Sequence, residues 1–135
     1  MVDKVFVMVN PWGLLFLDEI LADFDQVGKR VETAHISKIP IELIVSQYLH
    51  HQYRSFFQSL THDLAGKPAV IAAYEGNPLE FTDRKNRLRR RLNPLVLSSE
   101  NPLHDRNVVH TSESYEEYVR DVGIWKDYFL EKPSS

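Results

Sequence analysis

Two kinds of apolar spacing alternate along the chain and lay out its elements. "KVFVMVN" (4–10) is a short, continuous, β-branched run stopped by Pro11 and Gly13, which predicts a buried strand. In "LLFLDEILADFDQVG" (14–28), Leu17, Ile20, Leu21 and Phe24 recur at i, i+3, i+4 and i+7, an amphipathic helix ended by Gly28. "KRVETAHISKI" (29–39) predicts a second strand with Val31, Thr33, His35 and Ser37 on one side, and Pro40 opens a short helix to about Tyr48. A further helix spans 54–66, with Ser55 as candidate N-cap, Phe56, Phe57, Leu60 and Leu64 as its apolar face, and Gly66 at its end.

"PAVIAAYEG" (68–76) is the clearest strand, apolar throughout and bounded by Pro and Gly. Asn77-Pro78 opens a helix to about Leu92, and a loop with two Asn-Pro steps covers 93–105. "NVVH" is a short strand, and Ser112 or Ser114 caps a last helix that ends near Gly123, before an aromatic tail. This order predicts an α+β fold, a ferredoxin-like four-stranded, mainly antiparallel sheet with helices packed on one face. No repeat or linker interrupts it, so residues 1–135 read as one domain.

Composition narrows the function. With 43% hydrophobic residues the chain can bury a core, and with no cysteine it has neither disulfides nor thiolate chemistry. Its apolar runs fall well short of the roughly 18 residues of a membrane span. The N-terminus turns charged too soon for a signal peptide, so a cytoplasmic location is expected. A net charge of −3 argues against a stable nucleic-acid partner. Within it, however, "RKNRLRRR" (84–91) carries six basic residues in eight, which suits a small anionic ligand.

"RNVVHTSES" (106–114) places His110 at the end of a strand, before a helix carrying Glu113, Glu117 and Asp121 at i, i+4 and i+8. An imidazole nucleophile needs one ring nitrogen free and the other held, usually by a carboxylate or carbonyl. Spacing alone leaves two readings open, that nucleophile and an ordinary capping region. His50-His51, His35 and His62 read as surface residues, because adjacent helical histidines point about 100° apart and no ligand-spaced carboxylate accompanies the others.

Several of these segments, in order, resemble the nucleoside diphosphate kinase family. "VFVMVNPWG" looks like the family's first strand and Lys-Pro-Asp-Gly turn. "YRSFFQSLTHDLAGKPAVIAAYEG" is similar to its Arg-Pro-Phe-Phe helix and Val-Trp-Glu-Gly strand end. "RNVVHTSES" closely follows its Arg-Asn-Ile-Ile-His-Gly-Ser-Asp-Ser signature, and "VGIWKDYF" its Ile-Gly-Leu-Trp-Phe close. The likeness covers almost all of residues 4–129 and implies a phosphotransferase. His110 would take the γ-phosphoryl group of a nucleoside triphosphate and pass it to a nucleoside diphosphate, with Mg²⁺ held through the nucleotide phosphates.

By the same resemblance Asp121 stands where a glutamate orients the imidazole, and Ser112 is the serine beside the histidine. Asn107 would contact sugar or phosphates, Phe56 would stack on the base, Tyr48 would lie near the histidine, and Arg84 would bind phosphate. The departures lie in the phosphate site. Asn10 replaces the family's lysine. The basic helix is two residues longer, and the stretch from Pro94 to His110 is shorter, which removes another arginine and part of a loop that joins subunits. A homo-oligomer, at least a dimer, is therefore expected. Helical spacing puts Arg84, Arg87 and Arg91 on one side, so Arg87, Arg89, Arg90 or Arg91 could restore the charge, or the helix could simply present a solvated basic face. Two other functions stay open. One is a degenerate member that binds nucleotide or a partner without efficient turnover, and the other is a kinase for an unusual nucleotide.

Overall fold

The computed structural model describes residues 3–49, 57–96 and 107–129. Four strands, β1 (Lys4–Val9), β2 (Gly28–Ile36), β3 (Ala69–Gly76) and β4 (Val109–Thr111), form one sheet in the order β2-β3-β1-β4. Every pairing is antiparallel, as expected. Among the described residues five α-helices accompany it: α1 (Leu17–Asp25), α2 (Ile41–Gln47), α3 (Phe57–Leu64), α4 (Pro78–Val96) and α5 (Tyr115–Trp125).

The helices cover both faces of the sheet, not one. Side chains alternate across a strand, so a strand without polar interruptions buries both sides. Val5, Val7 and Val9 of β1 meet Val70, Ala72 and Tyr74 of β3 on one face, under Ile20, Leu21 and Phe24 of α1 and Phe81, Leu88 and Leu92 of α4. The Phe24 and Phe81 rings stack there at 5.2 Å. Phe6, Met8 and Ile71 point to the other face, under Ile44 of α2, Leu60 and Leu64 of α3, and Val122 and Trp125 of α5. Each such side chain contributes about 1.5–3 kcal/mol on burial. The unbroken apolar runs of β1 and β3 required this double cover, which a one-sided sandwich does not give.

Local differences have local causes. The segment 14–28 begins inside a 3-10 helix over Pro11–Phe16, and only its later part is α-helical. β2 stops at Ile36 and carries a bulge between Arg30 and Glu32, which takes Val31 out of the alternation and leaves it exposed. The helix expected to end at Leu92 continues through Asn93 and Pro94 to Val96. Proline there forfeits one bond of the last turn, while the Asn93 side chain accepts from the Val108 N–H at 3.0 Å and donates to Asn107 Oδ1 at 2.9 Å. Gly66 closes α3 at φ 77°, as its position after the apolar run requires. Ser114, the second of the two candidate caps, caps α5 by accepting from the Glu117 N–H. Ser55 and the pair His50-His51 lie outside the described residues. No described helix is long and apolar enough to cross a membrane.

Candidate functional site

His110 sits in the middle of β4, in register with Met8 of β1. Its ring therefore projects to the face covered by α2 and α5, with its centroid 6.2 Å from that of Phe6. The strand end is pinned just beyond it. Ser112 N–H donates to the Phe6 carbonyl at 2.9 Å, and Ser112 Oγ accepts from the Phe6 N–H at 2.8 Å. Ser112 is fully buried and spends its hydroxyl on β1, so it fixes the backbone that presents His110 and does not line the cleft beside it.

A buried polar chain holds the imidazole. The Trp125 indole N–H donates to Gln47 Oε1 at 2.7 Å, which fixes which way the Gln47 amide points. Gln47 Nε2 then donates to Asp121 Oδ1 at 3.0 Å, and Asp121 Oδ2 lies 3.0 Å from His110 Nε2. Arg120 adds a donor to Asp121 Oδ1 at 3.3 Å. Asp121 is 0% exposed, and a carboxylate so deep in the protein requires this set of donors. The proton of the neutral ring is thus assigned to Nε2, pointing at Asp121. The 3.4 Å approach of Gln47 Nε2 to the same ring nitrogen is then a donor–donor contact and no hydrogen bond. Nδ1 is left with no hydrogen-bond partner among the described residues, and the His110 side chain keeps 19% exposure. The shorter reach of aspartate, against the glutamate that the resemblance implies, is sufficient here because α5 brings Asp121 within 3.0 Å.

The ring opens onto a cleft of about 520 Å³. Asn10, Tyr48 and Asn107 line it. Asn10 is buried and donates from Nδ2 to the Asn107 carbonyl at 2.8 Å, so it shapes the cleft floor and brings no charge. The close pass of the 3-10 helix beside this point rests on Gly13, where a Cβ would fall 2.3 Å from the Val108 carbonyl oxygen.

The expected phosphate cations are elsewhere. Arg84 donates to Asp23 Oδ1 at 2.8 Å and Gln26 Oε1 at 3.1 Å, Arg91 pairs with Glu19 at 2.7 Å, and Arg87 pairs with Asp83 one turn back. All three lie on the side of α4 that meets α1, which carries Asp23 and Glu19 as the partners of Arg84 and Arg91. The other side of α4 sends Lys85 and Arg89 into the cleft, and α5 adds Arg120. Sequence reasoning missed Lys85, Arg120 and Gln47. Lys85 and Arg89 stand four apart, a legible pairing, but nothing in the spacing says which side of α4 meets the histidine. Phe56 lies outside the described residues.

In the cleft, Lys85 and Glu113 are perturbed. Burial strips water from the Lys85 ammonium and pushes it below the ordinary lysine value, opposed by its hydrogen bond to Glu113. That same bond holds Glu113 below the usual carboxylate range. The described residues hold no group of three or more His, Cys, Asp or Glu side chains placed for a metal. Glu113, already paired with Lys85, and Glu117 are the carboxylates that line the cleft, a sparse set that fits a Mg²⁺ ion held mainly by ligand phosphates.

No family model matches the chain. Among curated proteins, it is 28% identical over 131 residues to the nucleoside diphosphate kinase of Brevibacillus brevis, spanning 91% of this chain and 88% of that one. It is 29% identical over 138 residues to that of Methanoculleus marisnigri, spanning 90% and 86%. Among solved structures, it superposes on the nucleoside diphosphate kinase of Aquifex aeolicus with a TM-score of 0.66 at 21% identity, covering 93% of this chain and 95% of that one. A nucleoside diphosphate kinase family protein of Babesia bovis gives 0.64. Along nine-tenths of its length the chain is similar in sequence to nucleoside diphosphate kinases, and its fold is that of the solved nucleoside diphosphate kinases.

Proposed function

We propose that the protein is a phosphotransferase that moves the γ-phosphoryl group of a nucleoside triphosphate to a nucleoside diphosphate through a phosphohistidine at His110. One observation carries the reading. The Nε2 of His110 is tied to the buried Asp121, which leaves Nδ1 as the ring nitrogen with a lone pair and no partner among the described residues. In the first half-reaction Nδ1 forms a bond to the γ-phosphorus as the bond to the bridging oxygen breaks, and the nucleoside diphosphate leaves with that electron pair. The second half-reaction reverses these steps on another diphosphate. Asp121 stabilises the cation that the ring becomes while phosphorylated. Lys85, Arg89 and Arg120 offer positive charge to the phosphates, and Asn107 stands at the cleft wall to meet sugar or phosphate. Mg²⁺, when bound with the nucleotide, would neutralise phosphate charge, and Glu117 is the carboxylate of the cleft placed to hold it.

The test is transfer of labelled phosphate from ATP to GDP under varied concentrations of both. Parallel double-reciprocal lines, abolished in His110→Ala, are expected. Intersecting lines, or turnover that survives in His110→Ala, would remove the phosphohistidine. One observation favours a second reading, a nucleotide-binding protein without turnover. Three arginines that could serve phosphate are bonded toward α1 or to their own helix. Tight ADP binding with no transfer to any diphosphate acceptor would select it.

A further inference from the structure

The geometry points to Lys85 as the phosphate-anchoring cation of the cleft, with Glu113 as a resident counterion that an entering di- or triphosphate displaces. This rests on the phosphotransfer reading and adds to it a residue that the family resemblance does not supply. Asn10, standing where that resemblance puts a lysine, is neutral and committed to Asn107. The cleft therefore needs a cation from another element, and Lys85 on α4 lines the same cleft as His110 and Asn10.

The two partners of the ion pair are unequal. The Lys85 side chain is 5% exposed, whereas that of Glu113 is 51% exposed. The ammonium is fixed by its surroundings; Glu113 is the carboxylate that hydrogen-bonds it, and Glu117 adds a weaker attraction. Glu113 precedes the N-cap Ser114 and is held on the helix side only through its backbone N–H, which donates to Glu117 Oε1 at 3.3 Å. Its carboxylate can swing to water without disturbing α5, and water is where a half-exposed carboxylate loses least. Lys85 has no such exit. A buried ammonium needs an anion, so an incoming phosphate exchanges one anionic partner for another and leaves no bare charge behind. Arg89, one turn along α4, donates from Nε to the Val109 carbonyl at 2.9 Å and so holds its guanidinium beside β4, adding positive potential to the same wall.

Calorimetric binding of ADP and of inorganic pyrophosphate tests this with wild type, Lys85→Met and Glu113→Gln. Loss of a charge-assisted contact predicts that Lys85→Met weakens both ligands at least about 10-fold. Glu113→Gln, freed of the competing anion, is expected to bind both several-fold more tightly. Opposite movements are the signature, since a pair that only braces the fold would move both variants the same way. Unchanged ADP binding by Lys85→Met, weaker binding by Glu113→Gln, or no binding of either ligand by wild type would each overturn the assignment. If Lys85→Met does not fold, as circular dichroism reports, Glu113→Gln alone still decides by the sign of its effect. The same samples, incubated with labelled ATP, separate the two claims. Wild type that acquires no label while the variants move in opposite directions refutes phosphotransfer and keeps Lys85. Labelled wild type with indifferent variants does the reverse.

Discussion

Replacing Asp121 with asparagine isolates what the buried carboxylate does for His110. The change keeps side-chain size, so packing around this 0% exposed position is conserved. Its chemistry is not conserved. Two donors, Gln47 Nε2 and His110 Nε2, now point at oxygens 3.0 Å away, and asparagine has only one oxygen. Gln47 is locked by Trp125 at 2.7 Å and retains its donor orientation, so the asparagine oxygen faces Gln47 and its NH₂ faces the imidazole. His110 must then accept at Nε2, and its proton moves to Nδ1, the nitrogen that has to attack. Restoring the reactive tautomer means losing that contact and opposing two N–H groups, a charge-assisted contact's worth of about 1.5–3 kcal/mol. At about 1.4 kcal/mol per decade, the rate of phosphohistidine formation falls roughly 10- to 150-fold. Rapid-quench labelling with ATP in a single turnover measures the rate, and nitrogen chemical shifts of the ring report the tautomer. A wild-type rate with the proton still on Nε2 would refute the role given to Asp121. A wild-type rate with the tautomer inverted would refute the choice of Nδ1.

Three further outcomes follow from other parts of the molecule. Arg87→Ala with Arg91→Ala should leave the nucleotide KM within about twofold, because both side chains are exposed and bonded to Asp83 and Glu19, off the His110 cleft, and such exposed pairs contribute little. A steep rise in KM would restore them to the phosphate site. Gly13→Ala drives a Cβ to 2.3 Å from a backbone carbonyl, where neither side can yield easily, and should lower the thermal midpoint by several degrees, measured by calorimetry. The Lys85–Glu113 pair gives stability a pH dependence of definite sign. Lys85 lowers Glu113 in the folded state, so the contribution is complete above the ordinary carboxylate value of 4.5 and drains away as pH falls from there through the depressed folded value. Lys85 is charged in both folded and unfolded chains in that acid range and adds no slope. Urea titrations between pH 3 and pH 7 should therefore show wild type losing its advantage over Glu113→Gln toward acid, and a constant difference would contradict the pairing.

The sheet was legible because its two central strands are apolar without interruption, and no helix period of that length fits them. The helix α1 was legible for the converse reason, since Ile20, Leu21 and Phe24 keep the 3.6-residue spacing and all three are buried. That both faces are covered was also implied by β1 and β3, but the notion of a one-sided sandwich hid it. His110 and Asp121 could be paired from sequence because they lie eleven residues apart, on a strand and the helix that follows it. Gln47 and Trp125 could not, since α2 and α5 meet only in the folded chain and neither residue carries a spacing signal. The basic helix shows the limit most clearly. Helical spacing grouped Arg84, Arg87 and Arg91 correctly, yet it says nothing about which neighbour that group faces. Asp23 and Glu19 of α1 hold Arg84 and Arg91 away from the histidine, and Lys85, indistinguishable in a run of six cations, takes the inner position.

The central claim is that Nδ1 of His110 receives a phosphoryl group. Intact-protein mass spectrometry after mixing with ATP and Mg²⁺, beside a His110→Ala control, tests it most directly. The account predicts one acid-labile, alkali-stable phosphoryl adduct on wild type, absent from the control and discharged by added GDP. Wild type that binds ATP and remains unmodified, or an adduct that persists in His110→Ala, would contradict it.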